Sequence, residues 1–97
     1  MTEDEPKKPT KLFALRVLKL VAALPKTVAG RTIGSQLARS STSVAANYRA
    51  ACRGRSKAEV VSRLGVVEEE ADESALWLEL IIDGELMKKG SCRTAVV

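Results

Sequence analysis

Histidine is absent from this chain, and that absence excludes more chemistry than any other feature of the composition. The usual general base, the commonest metal ligand and every Ser-His-Asp or Cys-His nucleophile require an imidazole. A di-iron carboxylate bundle requires Glu-x-x-His motifs, and the chain has none. Phosphate-cradling glycine loops are missing as well, since Gly30, Gly34 and Gly54 fit no such spacing. Phe13, Tyr48 and Trp77 are the only aromatics, so a core must be built from Leu, Val, Ile and Ala. Stacking of single-stranded bases on aromatic rings is equally unsupported. Cys52 and Cys92 match no metal or disulfide spacing and read as free thiols in a reducing cytoplasm. The first ten residues lack the apolar segment of a secretory signal. Leu20–Leu24 and Ala75–Ile82 are too short or too charged to span a bilayer. The expectation is a cytoplasmic, non-enzymatic protein without cofactor, metal or membrane span.

What is present is helical. The chain, 97 residues long with three prolines, is one small domain of all-α class. Residues 1–9, polar and carrying Pro6 and Pro9, read as a disordered tail. Residues 10–90 read as the helical domain and 91–97 as a short C-terminal remnant. Thr10 suits an N-cap, and Phe13, Val17, Leu20, Val21 and Leu24 then recur at helical spacing, with Lys11, Arg16 and Lys19 turned outward. Pro25 ends or kinks that helix, and 25–34 reads as a connection.

A second helix is predicted from about Ile33 to Arg53. At 100° per residue, Ile33, Leu37, Val44, Tyr48 and Ala51 form an apolar seam. Gln36, Ser40, Ser43 and Asn47 form a polar stripe beside it, and Arg39, Arg49 and Arg53 share the opposite face. Ala38, Thr42, Ala45 and Ala46 fill the rest with small side chains, which allow close helix approach. With no base available to activate a serine, the polar stripe reads as a buried seam that sets register and assembly. A ligand-contacting patch is its alternative. Gly54 marks a tight turn, and Ser56 with Glu59 forms a capping box for a third helix. That helix carries Val60, Leu64, Val67, Ala71, Ser74, Leu78 and Ile81 at 4-3 spacing and ends near Asp83-Gly84.

Charge is segregated. Between Pro6 and Val67, Glu59 is the only acid against thirteen Lys and Arg; from Glu68 to Glu85, eight acids meet no base. Folding about Gly54 brings Arg49 level with Glu59, and Arg39 level with Glu69, Glu70 and Glu73. The basic residues are then either salt-bridged helix faces, each pair worth little, or a surface for a polyanion. In the second case Arg39, Arg49, Arg53, Arg55 and Lys57 are the candidate nucleic-acid contacts.

Three motifs, in order, carry a resemblance. They are Gln36-Leu37-x-Arg39-Ser40-x-x-Ser43-Val44-x-x-Asn47-Tyr48-Arg49, Arg55-Ser56-Lys57-x-Glu59 and Glu70-Ala71-Asp72-Glu73-x-x-x-Trp77-Leu78-Glu79-Leu80. Together the string closely resembles the bacterial four-helix-bundle proteins encoded by intervening sequences in 23S rRNA genes, over residues 13 to 90. The resemblance implies an up-down antiparallel four-helix bundle that assembles as a homopentamer. Gln36, Ser43 and Asn47 match signature positions, and Arg39, Arg49 and Arg53 match a basic surface. It also implies kinship with the accessory variability determinant of diversity-generating retroelements, which partners a reverse transcriptase and binds nucleic acid. The chain departs from the family at Ala50, usually acidic, at Val60, usually Phe, and after Gly90, where a full fourth helix is usual. The fourth helix is therefore expected to be short or missing, exposing part of the third helix's seam. The functions this leaves are a non-enzymatic oligomer binding RNA or DNA through a basic face, a scaffold docking a partner enzyme, or a product of a mobile element without activity.

Overall fold

The computed structural model describes residues 4–87. Three helices account for nearly all of them: α1 (Asp4–Ala22), α2 (Val28–Cys52) and α3 (Lys57–Asp83). The described part is thus all-helical with three helices, and the expected fourth element, residues 91–97 and Cys92 included, falls outside the described residues. Helix α2 is the common neighbour: α1 packs on one flank and α3 on the other, while α1 and α3 do not pair. Side chains of α1 and α3 nonetheless meet in one buried cluster with α2.

Helix α1 starts at Asp4, six residues before the cap expected at Thr10, and absorbs most of the predicted tail. Pro6 falls in the first turn, where no N–H is needed for the ladder, and Pro9 forfeits a single bond. The other end follows expectation. After Ala22 the chain tightens into i→i−3 bonds, with Ala23 N–H on the Leu20 carbonyl and Leu24 N–H on Val21, and Pro25 then stops the ladder.

Helix α2 begins at Val28, five residues earlier than predicted, because Thr27 is a working N-cap whose Oγ1 accepts from Gly30 N–H at 3.1 Å. The stretch 28–34 is helix, not connection, and its two glycines have packing roles. A Cβ at Gly30 would lie 2.0 Å from the Pro25 carbonyl oxygen, and one at Gly34 would crowd Val21 and Leu24 of α1. Bare backbone at one edge of α2 is what lets α1 turn back so closely.

The turn to α3 matches expectation closely. Arg53 caps α2, Gly54 leaves room for Val60, whose Cγ2 would stand 2.4 Å from a Cβ there, and Ser56 Oγ accepts from Glu59 N–H at 3.1 Å. The carboxylate of Glu59 completes the cap one residue earlier than the usual box, accepting from Arg55 N–H at 3.1 Å. At its far end α3 closes in a Schellman motif: Glu85 N–H bonds Ile82 and Leu86 N–H bonds Ile81. The left-handed residue is Glu85, φ 55°, while Gly84 stays right-handed.

The core is gathered toward one end. Val17, Leu20 and Leu24 of the first helix and its turn, Leu37 of α2, and Leu78 and Ile81 of α3 form a single buried cluster, with Phe13, Ile33 and Trp77 packed at its edges. These residues lie in the half closed by the α1–α2 turn. The predicted seam of α3 divides accordingly. Ser74, Leu78 and Ile81 are buried, but Val60 and Val67 are only half-buried, and Leu64 is 43% exposed. The expected continuous seam is therefore corrected to its C-terminal half. Of its remaining positions, Ala71 is exposed as well.

Candidate functional site

The three arginines of α2 share a helical face in projection, yet the structure separates them. Arg39 leans toward α3. Its guanidinium donates from Nη1 to Glu70, 3.1 Å away, and from Nη2 to Glu73, and its Nε reaches Gln36 Oε1 at 3.4 Å. The hydrogen bond from Arg39 holds the Glu73 carboxyl below its ordinary range against the opposing effect of burial, and the same bond raises Arg39 further. Arg39 is committed to a neighbouring helix, as the fold-back about Gly54 suggested.

The polar stripe runs along the same α2–α3 boundary. Ser40 is fully buried, and its hydroxyl lies 2.7 Å from that of Ser74 on α3. Each also donates within its own helix, Ser40 to the Leu37 carbonyl and Ser74 to Glu70. Asn47 donates to the carbonyl and hydroxyl of Ser43, both at 2.9 Å, and accepts from Arg63 Nη1 at 3.1 Å. Ser40 and Asn47 thus bridge the helices, while Gln36 and Ser43 hold partners within α2. Sequence reasoning missed Ser41, also fully buried, and Arg63. The signal for Ser41 was its place on the edge of the apolar arc; nothing flagged Arg63. Trp77 is half-buried against the core with its indole N–H buried and unpartnered.

Arg49 leans the opposite way, toward α1. With Lys11 of α1 it lines a shallow groove of about 350 Å³ floored by Thr42, Ala45 and Ala46. Small side chains on α2 open this groove, leaving both cations at its rim. A second depression of about 540 Å³ continues from the same Ala46 and Arg49 to Ala50, Arg53, Arg55 and Glu59. The predicted pairing of Arg49 with Glu59 does not form, because the Glu59 carboxylate is engaged by the backbone of the α3 cap. Among the described residues no carboxylate lies within ion-pair distance of Arg49, Arg53 or Arg55. Lys57 is exposed at the first residue of α3, outside both depressions. The five predicted contacts therefore divide three ways: Arg39 is paired, Lys57 stands apart, and Arg49 joins two adjoining depressions, one lined by Lys11 and the other by Arg53 and Arg55.

The description "23S rRNA-intervening sequence protein" matches residues 7–95. The chain belongs to this family. A crystal structure of a protein of unknown function from the S23 ribosomal protein family of Bacteroides thetaiotaomicron VPI-5482 is similar throughout. It is 29% identical, with a TM-score of 0.84 over 98% of this chain and 85% of that one. No curated protein matches the sequence. Among the described residues no group of acids and cysteines could hold a metal ion, and no helix is long and apolar enough to cross a membrane.

Proposed function

We propose that this family member is a non-enzymatic, homo-oligomeric helical protein that binds RNA or DNA by its phosphates, without sequence preference, along the groove of Lys11, Arg49, Arg53 and Arg55. The observation that carries the reading is the division of the α2 arginines. Arg39 spends its charge on Glu70 and Glu73, while Arg49, Arg53 and Arg55 stand together without an acid in reach among the described residues. Guanidinium groups in this state bind phosphate oxygens without first breaking an internal pair. Ala50 adds to the same effect, since it lines the groove at a position where the family usually carries an acid. Among the described residues that line the groove, Glu59 is the one carboxylate, and its cap bond holds it back. The groove is shallow and without aromatic side chains, which suits backbone contact and not base reading.

Titration of the full chain against a structured RNA duplex at several salt concentrations tests the reading. Affinity is expected to fall with salt at a log–log slope of roughly −0.9 for each phosphate neutralised. Replacing Arg49 and Arg53 by Gln should flatten that slope by about two phosphates' worth and leave helicity intact, because neither residue supports the core. Absence of binding at low salt removes the proposal, and so does an unchanged slope in the variant.

A further inference from the structure

A second pair of cations stands at the far end of the same face of α2. Lys26 and Arg31, both exposed, rim a depression of about 310 Å³ beside Gly30 and Gly34, where the chain turns from α1 into α2. Among the described residues no carboxylate lies within ion-pair distance of either. Past Glu5, neither α1 nor α2 contains a single acid. Arg31 and Arg49 are separated by about five turns of α2, so they project from one side and stand about 27 Å apart along its axis. On α1, Lys11 and Ala22 likewise share a side, about three turns apart. The depression at Lys11 and the one at Ala22 therefore open in the same direction. Between the cationic ends α2 presents Ser35, Ala38, Thr42 and Ala45, all short and uncharged. Arg39, the cation nearest to that stretch, turns aside to Glu70 and Glu73.

Charge is thus concentrated at the two ends of a strip and absent from its middle. We infer that the phosphate-binding surface is this two-ended strip, and that its ligand is a double-stranded nucleic acid at least as long as the strip. At 3.4 Å per base pair, about 27 Å corresponds to about eight base pairs. A duplex is straight on this scale, its persistence length being about 150 base pairs. Holding its phosphates at one end therefore brings others to the far end without further ordering. A single strand would have to be drawn out along the neutral middle, at a cost in chain entropy. No aromatic side chain stands on the strip to stack its bases in return. The inference rests on the proposed phosphate binding, and adds to it a length requirement, a preference for duplex and the residues Lys26 and Arg31.

Anisotropy titrations of the full chain test this, against RNA hairpins with stems of about six and about twenty base pairs, shorter and longer than the strip. On the long stem, Lys26→Gln with Arg31→Gln should lower the log–log salt slope by about 1.8, at roughly 0.9 per phosphate. On the short stem the slope should not change, and affinity should fall no more than about twofold, because a short duplex engages only one end at a time. An unpaired strand with as many phosphates as the long stem should bind more weakly than that stem. Both substituted positions are exposed, and circular dichroism checks that the variant remains helical. An unchanged slope on the long stem overturns the inference. So does a slope lowered equally on both stems, or an unpaired strand bound as tightly as the duplex. If Arg49→Gln with Arg53→Gln still flattens the slope in those cases, the groove reading stands and only the strip falls. Absence of binding to either stem by the unaltered protein removes both.

Discussion

The two ends of this small bundle are built on different terms. At the end closed by the α1–α2 turn, six buried aliphatic side chains from three helices and that turn share one cluster, and Gly30 and Gly34 let the chain approach closely. At the end closed by the α2–α3 turn, Val60 packs on Gly54 beside buried Ala51, and the surface is a depression of arginines, alanines and a capping glutamate. Burial of apolar area dominates folding free energy, so the first end holds the fold and the second is held by it. The lesson is that the cationic groove sits where altering a side chain should alter binding with little effect on stability. Helix α2 connects the two, running from Gly30 and Gly34 in the tight end to Arg49 and its neighbours in the open one.

The largest effect that can test this contrast lies at Leu37. Its truncation to Ala removes a fully buried side chain and should cost about 2–5 kcal/mol. The apolar Leu64→Ala, at the open end of α3, should change stability by no more than about 0.5 kcal/mol. Urea denaturation of both variants reads the difference directly; equal losses would mean that the core extends along the whole bundle.

A smaller effect is expected midway, at the hydroxyl pair. Ser74→Ala deprives buried Ser40 of its partner on the other helix and should cost about 1 kcal/mol. Removing both hydroxyls, Ser40→Ala with Ser74→Ala, should return part of that loss, since no buried polar group is then left without its interhelical partner. A double-mutant cycle in the same denaturant assay measures the coupling; strict additivity would show that the hydroxyls do not depend on each other.

The smallest effect belongs to the ion pairs of Arg39. The Glu73 carboxyl is depressed in the folded protein by its bond with Arg39. Its contribution is therefore complete above the ordinary carboxylate range and is lost as the pH falls through its lowered value. Both partners are substantially exposed, which keeps the effect slight. Glu73→Gln should flatten the acid limb of a melting-temperature profile slightly without changing its neutral plateau by much. An acid limb identical to that of the parent would show that Glu73 does not contribute.

Much of this fold was legible wherever local chemistry decided the outcome. Ser56 and Glu59 cap α3, Gly84 ends it, and counting outward from Gly54 set Arg39 level with Glu69, Glu70 and Glu73, of which Glu70 and Glu73 pair with it. Errors arose where distant packing overruled local preference. Pro6 and Pro9 looked like tail residues, yet a helix tolerates a proline in its first turn and loses only one bond at the next. Gly30 and Gly34 looked like a connection, although their purpose is visible only once α1 lies across them. The apolar repeat of α3 identified the positions suited to a seam, but no sequence period reports whether a neighbour is there to cover them. The groove was half legible: helical angles grouped Arg39 with Arg49, and long side chains leaning to opposite flanks then parted them. Lys11 became a partner of Arg49 only through the crossing of α1 over α2.

The lopsided core has a consequence for motion. Amide protons at the Leu37–Ile81 end, where the buried cluster lies, are expected to exchange with solvent mainly through global opening. Those between Asn47 and Leu64 are expected to need only a local opening, because Ala51 is the one buried side chain in that stretch. Two helix ends and the turn joining them can therefore loosen as a unit, adjusting the spacing of Arg49, Arg53 and Arg55 while the far end stays shut. A polyanion with irregular phosphate spacing would meet a surface able to change its own pitch, tethered to a part of the protein that does not.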